Sequence, residues 1–316
     1  MNMSMRRKRG IVAVVVVGAF AMLTATVALG QGFGPWSAPV NAESVPGTSS
    51  ELNTSFQDGC PILSPDGLSL YMASNRPGGM GGLDIWVATR ASRNSPFGEP
   101  ANLGAPVNST ADDFCPSPMA DGWFFFVSTR APGCGDADIY VTRQVGRGWW
   151  NPLHLGCRVN SPGQEASPYL LTLKSGKMLL YFSSNRAGGF APDTGTADHD
   201  VYVSPLTLFG FAPPQLAPGL NTPQNDARPN LRSDGLEIVF DSDRPGGRGG
   251  SDLYSATRAK VSDPWSTPVN LGALNSPAGE SRASLSWDGT TLHFGSTRPG
   301  VEGAADIFFA TRTRTP

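Results

Sequence analysis

The sequence is poor in charge and in the residues that ordinarily do chemistry. Only 16% of its 316 residues are charged, the formal net charge is −2, and no basic block follows the N-terminal region. Such a chain lacks the electrostatic footprint for nucleic acid, and no nucleic-acid partner is expected. Histidine occurs three times, at His154, His199 and His293, and none stands in a Ser-His-Asp constellation visible in sequence. The four cysteines include no Cys-x-x-Cys pair, which leaves a zinc ribbon or a dithiol redox motif without support. The Gly-rich stretches lack the Lys-Ser/Thr ending of a phosphate loop. What is abundant is turn chemistry: 38 Gly and 28 Pro suit many short strands joined by tight turns, and argue against long helices.

The N-terminus reads differently from the rest. Arg6, Arg7, Lys8 and Arg9 precede an apolar run from Ile11 to Leu29, and Ala28-Leu29-Gly30 supplies the small residues that a signal peptidase reads. Residues 1–30 are therefore expected to be an export signal, with Gln31 opening the mature chain. The competing reading is a retained membrane anchor, because a run of that length can just cross a bilayer. Either way residues 31–316 are expected outside the cytoplasm, periplasmic or extracellular.

The rest is a repeat, and repeats decide folds. A Ser-x-Arg element recurs with its arginine at Arg76, Arg130, Arg186, Arg244 and Arg298, in steps of 54, 56, 58 and 54 residues. An aspartate opens the next apolar run in each copy: Asp84, Asp138, Asp200, Asp252 and Asp306. Between copies, an asparagine (Asn53, Asn108, Asn160, Asn221, Asn275) stands five residues before an acid, Asp58, Asp113, Glu165, Asp226 or Glu280. In the first copy, Cys60–Ser64 reads as an inner strand, Asp66-Gly67 as a hairpin turn, and Leu68–Ser74 and Asp84–Thr89 as the next strands. Phe97–Val107 holds an outer strand whose prolines suit a sheet edge. Four strands repeated radially make a propeller blade, so the expected fold is all-β, a five-bladed propeller in one domain over 31–316. The fifth copy ends after its third strand. Trp36-Ser37-Ala38-Pro39-Val40-Asn41 resembles Trp265–Asn270 and is expected to complete that blade, hiding two open edges.

The motif Asn-Ser-x-x-x-acid-x-x-Pro-x-Leu-Ser-x-Asp-Gly, followed by Ser-x-Arg-Pro-Gly-Gly and Asp-Ile-Tyr, resembles the WD40-like PD40 repeat of TolB-like propellers. The resemblance spans essentially residues 36–316 and implies a propeller of the bacterial envelope. The chain departs from it in having five repeats where the TolB propeller has six.

Repetition bears on chemistry, because scaffold residues follow symmetry and catalytic residues break it. The acid, the arginine and the aspartate of each copy, such as Asp58, Arg76 and Asp84, are expected to form a carboxylate–guanidinium–carboxylate cluster that fixes the loops. Two asymmetries stand out. In the third copy the arginine and aspartate are 14 residues apart instead of eight. Asp193, Asp198 and His199 in that insertion could bind a polar molecule or Ca2+, but the spacing matches no established calcium loop, so the insertion is read first as solvated, with ligand binding as the alternative. Two residues after each acid stand Cys60, Cys115, Ser167, Arg228 and Arg282. The two arginines could receive an anionic or zwitterionic ligand at the channel mouth, or merely balance Asp226 and Glu280.

Cysteines in an exported chain read as disulfides. Sequence permits three connectivities; Cys134 with Cys157 fits one blade, and Cys60 with Cys115 fits adjacent inner strands if these approach within the disulfide limit. No cofactor is required. The functional expectation is a non-catalytic binding module for an envelope protein or glycan, expected as a monomer. The alternative is a carbohydrate-active hydrolase using the acids at Asp58, Asp113, Glu165, Asp226 and Glu280, since five-bladed propellers also serve glycosidases.

Overall fold

The computed structural model describes residues 32–190 and 198–315. Five antiparallel sheets, each headed by an inner strand, make the five blades of a propeller. The inner strands are Asp58–Leu63, Asp113–Pro118, Glu165–Thr172, Asp226–Leu231 and Glu280–Leu285. Each lies against the next, and the first lies against the last, which closes the ring. Val40–Asn41 pairs with Asp306–Thr311 and completes the fifth blade, as the sequence predicts. The N-terminal residues 1–31, including the expected export signal, and residues 191–197 lie outside the described residues. Among the described residues no helix is long and apolar enough to cross a membrane.

The third strands all begin at the repeat aspartate, Asp84, Asp138, Asp200, Asp252 or Asp306. The outer strands are shorter than the sequence suggests: only Ala101–Asn102 of the 97–107 stretch pairs, opposite Trp86 and Val87. Gly98, Pro100, Gly104 and Pro106 interrupt the run and withhold ladder donors or extended geometry on either side. The second and third blades each add a two-residue fifth strand, Gly148–Trp149 and Gly210–Phe211. The Asp-Gly turns form as expected. Gly67 sits at φ +74°, a conformation a side chain disfavours, while Asp66 Oδ1 accepts from Leu68 N at 2.9 Å.

Blades are fastened by the repeat asparagines. Asn108 accepts from Ile85 N and donates to Ile85 O, both at 2.9 Å, imitating one more peptide on the preceding blade's third strand. Asn53 does the same for Ile307 of the last blade, accepting at 2.7 Å. The hydrophobic core lies between and within the sheets, with Met72, Phe126, Phe182, Phe240 and Phe294 fully buried at one repeat position. Each phenylalanine stacks on the third strand's aromatic, Phe126 on Tyr140 and Phe240 on Tyr254 at 6.0 and 6.2 Å. The repeat arginine then covers the pair, as Arg244 does from 5.1 and 4.9 Å.

Both expected disulfides are present, Cys60–Cys115 and Cys134–Cys157, with Cα separations of 5.0 and 5.5 Å. Such bridges persist in oxidising compartments, which agrees with export.

One buried base makes stability depend on pH. His293 is buried beside Phe309, and burial, with Arg90 adding repulsion, pushes its imidazole from 6.5 down to about 3. The folded state keeps it neutral while the unfolded chain takes up a proton below 6.5. Stability is therefore lost as pH falls from that value toward about 3, and the loss is complete below it. Thermal midpoints of wild type and His293→Leu should separate accordingly: relative to the variant, wild type loses stability between neutral pH and pH ~4. Parallel curves would remove His293 from the acid response.

Candidate active site

The site begins with a strained repeat. In every inner strand the register slips two residues after the acid. The residue at the slip has positive φ: Cys60 48°, Cys115 47°, Ser167 47°, Arg228 56° and Arg282 56°. For a non-glycine residue this conformation costs about 1–2 kcal/mol, and a bulge of this kind re-aims a side chain. These are the positions where the copies differ. All five line the central channel, together with Pro61, Pro116, Pro168 and Pro229. The Cys60–Cys115 bridge and this ring leave a void of only about 30 Å³. The axis itself therefore has no room for a sugar, and only its mouths offer it.

At the end where the inner strands begin, a pocket of about 210 Å³ opens. Asp112, Gln164, His199, Arg228 and Arg282 supply its polar wall. Its size suits one small polar unit, below the range that encloses a drug-sized ligand. Behind Arg228 lies a carboxylate that breaks the repeat. Asp241 is fully buried in the second strand of the fourth blade, where the other copies place Ala73, Val127, Ser183 and Gly295. Arg228 Nη1 reaches its Oδ2 at 2.5 Å, and Arg282 N donates to its Oδ1 at 2.9 Å. Burial raises the pKa of Asp241 against the opposing pull of Arg228. Asp112 is half-buried on the pocket wall, and its Oδ1 accepts from Leu83 N of the neighbouring blade at 2.8 Å.

The repeat acids lie elsewhere. Asp58, Asp113, Glu165, Asp226 and Glu280 are all fully buried. Arg76 and Arg130 meet the first two at 2.5 Å, Arg186 meets Glu165 at 2.9 Å, Arg298 meets Glu280 at 3.2 Å, and Arg244 meets Asp226. Thr54 donates from both its N and its Oγ1 to Asp58 Oδ2, each at 2.7 Å, and the other copies repeat the arrangement. The expected second carboxylate of each cluster is not on the arginine: Asp84 Oδ2 instead accepts from Met80 N and Gly81 N, at 2.6 and 3.2 Å, and so closes the Gly-rich loop. Asp138, Asp200, Asp252 and Asp306 close theirs in the same way. The arginines act locally because Nε is held by the serine two residues back, as Arg76 is by Ser74 at 2.9 Å.

Arg228 and Arg282 do converge, but they do not balance Asp226 and Glu280, which Arg244 and Arg298 already neutralise. Of the insertion residues, Asp193 lies outside the described residues, whereas His199 reaches the pocket wall next to Asp198. Sequence reasoning missed Asp112 and Asp241. Aligned copies would have exposed Asp241, an acid in an otherwise small or apolar column. Asp112 gives no such signal, because its column is mostly polar, holding Gln57, Gln164 and Asn225 beside Gly279.

Two other places were candidates by composition. Cys134, Asp138 and His154 gather ligand atoms within 4.8 Å, but Cys134 is in a disulfide and His154 fills a scaffold role. Its Nε2 lies 3.2 Å from Asp138, as Asn41 and Asn270 reach Asp306 and Asp252 at 3.1 and 2.8 Å. At the opposite end of the inner strands, a cleft of about 500 Å³ is lined by Tyr71, Trp123, Trp149 and Trp287. Asp66 is its one acidic lining residue.

No protein-family profile matches the chain, so the PD40 resemblance finds no support there, and no curated protein matches it. Solved structures do. A thermostable family-43 glycoside hydrolase superposes with a TM-score of 0.56 at 13% identity, over 84% of this chain and 92% of that one. An α-L-arabinofuranosidase from Lactobacillus brevis gives 0.53 at 10%, over 86% and 94%. A xylan β-1,4-xylosidase from Bacillus halodurans gives 0.53 at 13%, over 85% of this chain but 54% of that one. At such identities the likeness shows the fold. It also corrects the expectation of a non-catalytic binding module. That expectation took scaffold symmetry as a sign against catalysis, and the matched propellers are glycoside hydrolases.

Proposed function

We propose that this chain is an exported carbohydrate-active hydrolase that cleaves a glycan at the channel-mouth pocket. The observation that carries the reading is Asp241, a buried acid with raised pKa set behind two strained arginines, where four other blades have small or apolar residues. The matched solved structures, which are named as glycoside hydrolases on the same fold, support it. Glycoside hydrolysis needs two carboxyl groups, one to protonate the leaving oxygen and one to activate water or attack the sugar. Asp112 faces the pocket and takes the second role. Asp241, biased by burial toward its protonated form, takes the first.

Arg228 covers Asp241 and also lines the pocket. When its guanidinium turns to an incoming sugar oxygen, Asp241 loses its counter-ion, its pKa rises further, and it takes up a proton from solvent that it can pass to the leaving oxygen. Ligand binding thus arms the acid.

The test is release of reducing ends from a panel of plant and bacterial polysaccharides and aryl glycosides by the purified protein. On whichever substrate turns over, Asp112→Asn should lower kcat by about 10²–10⁴-fold with an unchanged unfolding midpoint. Turnover that survives this change would remove Asp112 from the chemistry, and none on any glycan would remove the hydrolase reading.

A further inference from the structure

The two arginines at the mouth are not equivalent. Arg228 holds Asp241, but the guanidinium of Arg282 lies within 4 Å of no carboxylate among the described residues. Only its backbone N–H meets Asp241; its Nε is buried without a hydrogen-bond partner. Each of the five repeat arginines, by contrast, has its own acid. Burial, with repulsion from Arg228 and only partial relief from Asp241, pulls Arg282 from 12.5 down to about 10, and it stays cationic at neutral pH.

Space has been made for this group. A Cβ placed on Gly59 would stand 3.1 Å from Arg282 Nη1, so the guanidinium packs directly on the backbone of the first blade. Its own backbone is left-handed, at φ +56°, which turns it off the sheet and toward the axis. The titratable groups around it are Arg228, Asp241 and, on the same pocket wall, Asp112 and the imidazole of His199. Asp241 is committed to Arg228 and to a backbone N–H, and Asp112 takes a backbone N–H of Leu83. A cation whose guanidinium forms no salt bridge, and which shares Asp241 with Arg228 only at longer range, is costly to hold there, and that cost falls when an anion arrives.

We infer that the pocket selects a sugar carrying a carboxylate, a uronic acid unit, with Arg282 binding that carboxylate through its planar fork. A carboxylate matches the guanidinium geometry in two parallel hydrogen bonds. It is also small enough to share a pocket of about 210 Å³ with one sugar ring. The inference rests on the reading of this pocket as the glycan site and adds the substrate class to it.

Calorimetric titration of the purified full chain tests this with D-glucuronate and D-galacturonate against glucose and galactose. The uronates should bind at least about tenfold tighter, the worth of one charge-assisted contact. In Arg282→Gln that preference should vanish. In wild type, raising salt from 50 to 500 mM, a roughly threefold shortening of the screening length, should weaken the uronates and leave the neutral sugars unchanged. Equal binding of charged and neutral sugars overturns the inference, as does a preference that survives Arg282→Gln or is indifferent to salt. Glucose 6-sulfate or 6-phosphate outcompeting both uronates overturns the carboxylate assignment in favour of a tetrahedral anion. Hydrolysis of neutral glycosides without uronate binding would sink this inference alone. Arg282-dependent uronate binding without turnover of any glycan would sink the hydrolase reading alone.

Discussion

Arg76→Met should unfold at a clearly lower urea concentration than wild type, with a loss of about 3–5 kcal/mol. The substitution keeps much of the apolar stem and removes the charge. Asp58 is then left fully buried with only Thr54 as a donor, after losing Arg76 Nη2 at 2.5 Å. The guanidinium also bonds Glu51 O, Leu52 O and the Ser74 hydroxyl and lies 5.2 Å from the Trp86 ring, so all these neighbours lose a partner together. The exposed pair Arg93–Asp288, 3.5 Å apart, is the contrast: Arg93→Ala should change stability by no more than ~1 kcal/mol, because water replaces the partner. If both variants unfold alongside wild type, the repeat clusters are not what holds the blades.

The second large effect concerns chemistry. Asp241→Asn preserves shape and the acceptor for Arg282 N, but it cannot give up a proton. Loss of a general acid should lower kcat/KM by about 10²–10⁴-fold. The direction of the Asp241 shift adds a signature. Its raised pKa means that the protonated, active form is depleted as pH rises through the folded value, so wild type should show an alkaline limb displaced upward from that of an ordinary aspartate. The asparagine variant should lack that limb. A residue that only supported the scaffold would lower the yield of folded protein and leave the pH profile of the remaining activity unchanged.

Much of the fold was legible because its fasteners are sequence-local. The asparagine and the acid recur five residues apart, and the arginine follows 17 to 21 residues later, since each bonds to its own blade or the one before, as Asn108 does to Ile85. The third strands start where predicted because their aspartates must cap the preceding Gly-rich loop. The outer strands were overestimated, since prolines inside 97–107 leave two residues able to pair. The site was harder. Cys60, Cys115, Ser167, Arg228 and Arg282 were visible as one varying column, but the bulge that points them at the axis is not encoded in their identity. Asp112 meets Leu83 only across a blade boundary, and which of the two arginines pairs with Asp241 is set by their places in the ring. Those are facts of the closed ring.

The central claim is that a glycan is cut at the pocket where the inner strands begin. A crystal structure of Asp112→Asn with an oligosaccharide that wild type cleaves tests it most directly. The account predicts the glycosidic oxygen in the mouth pocket, beside position 112, with Arg228 turned from Asp241 toward the sugar. An oligosaccharide bound instead in the cleft of Trp123, Trp149 and Trp287, with Arg228 still on Asp241, would contradict it.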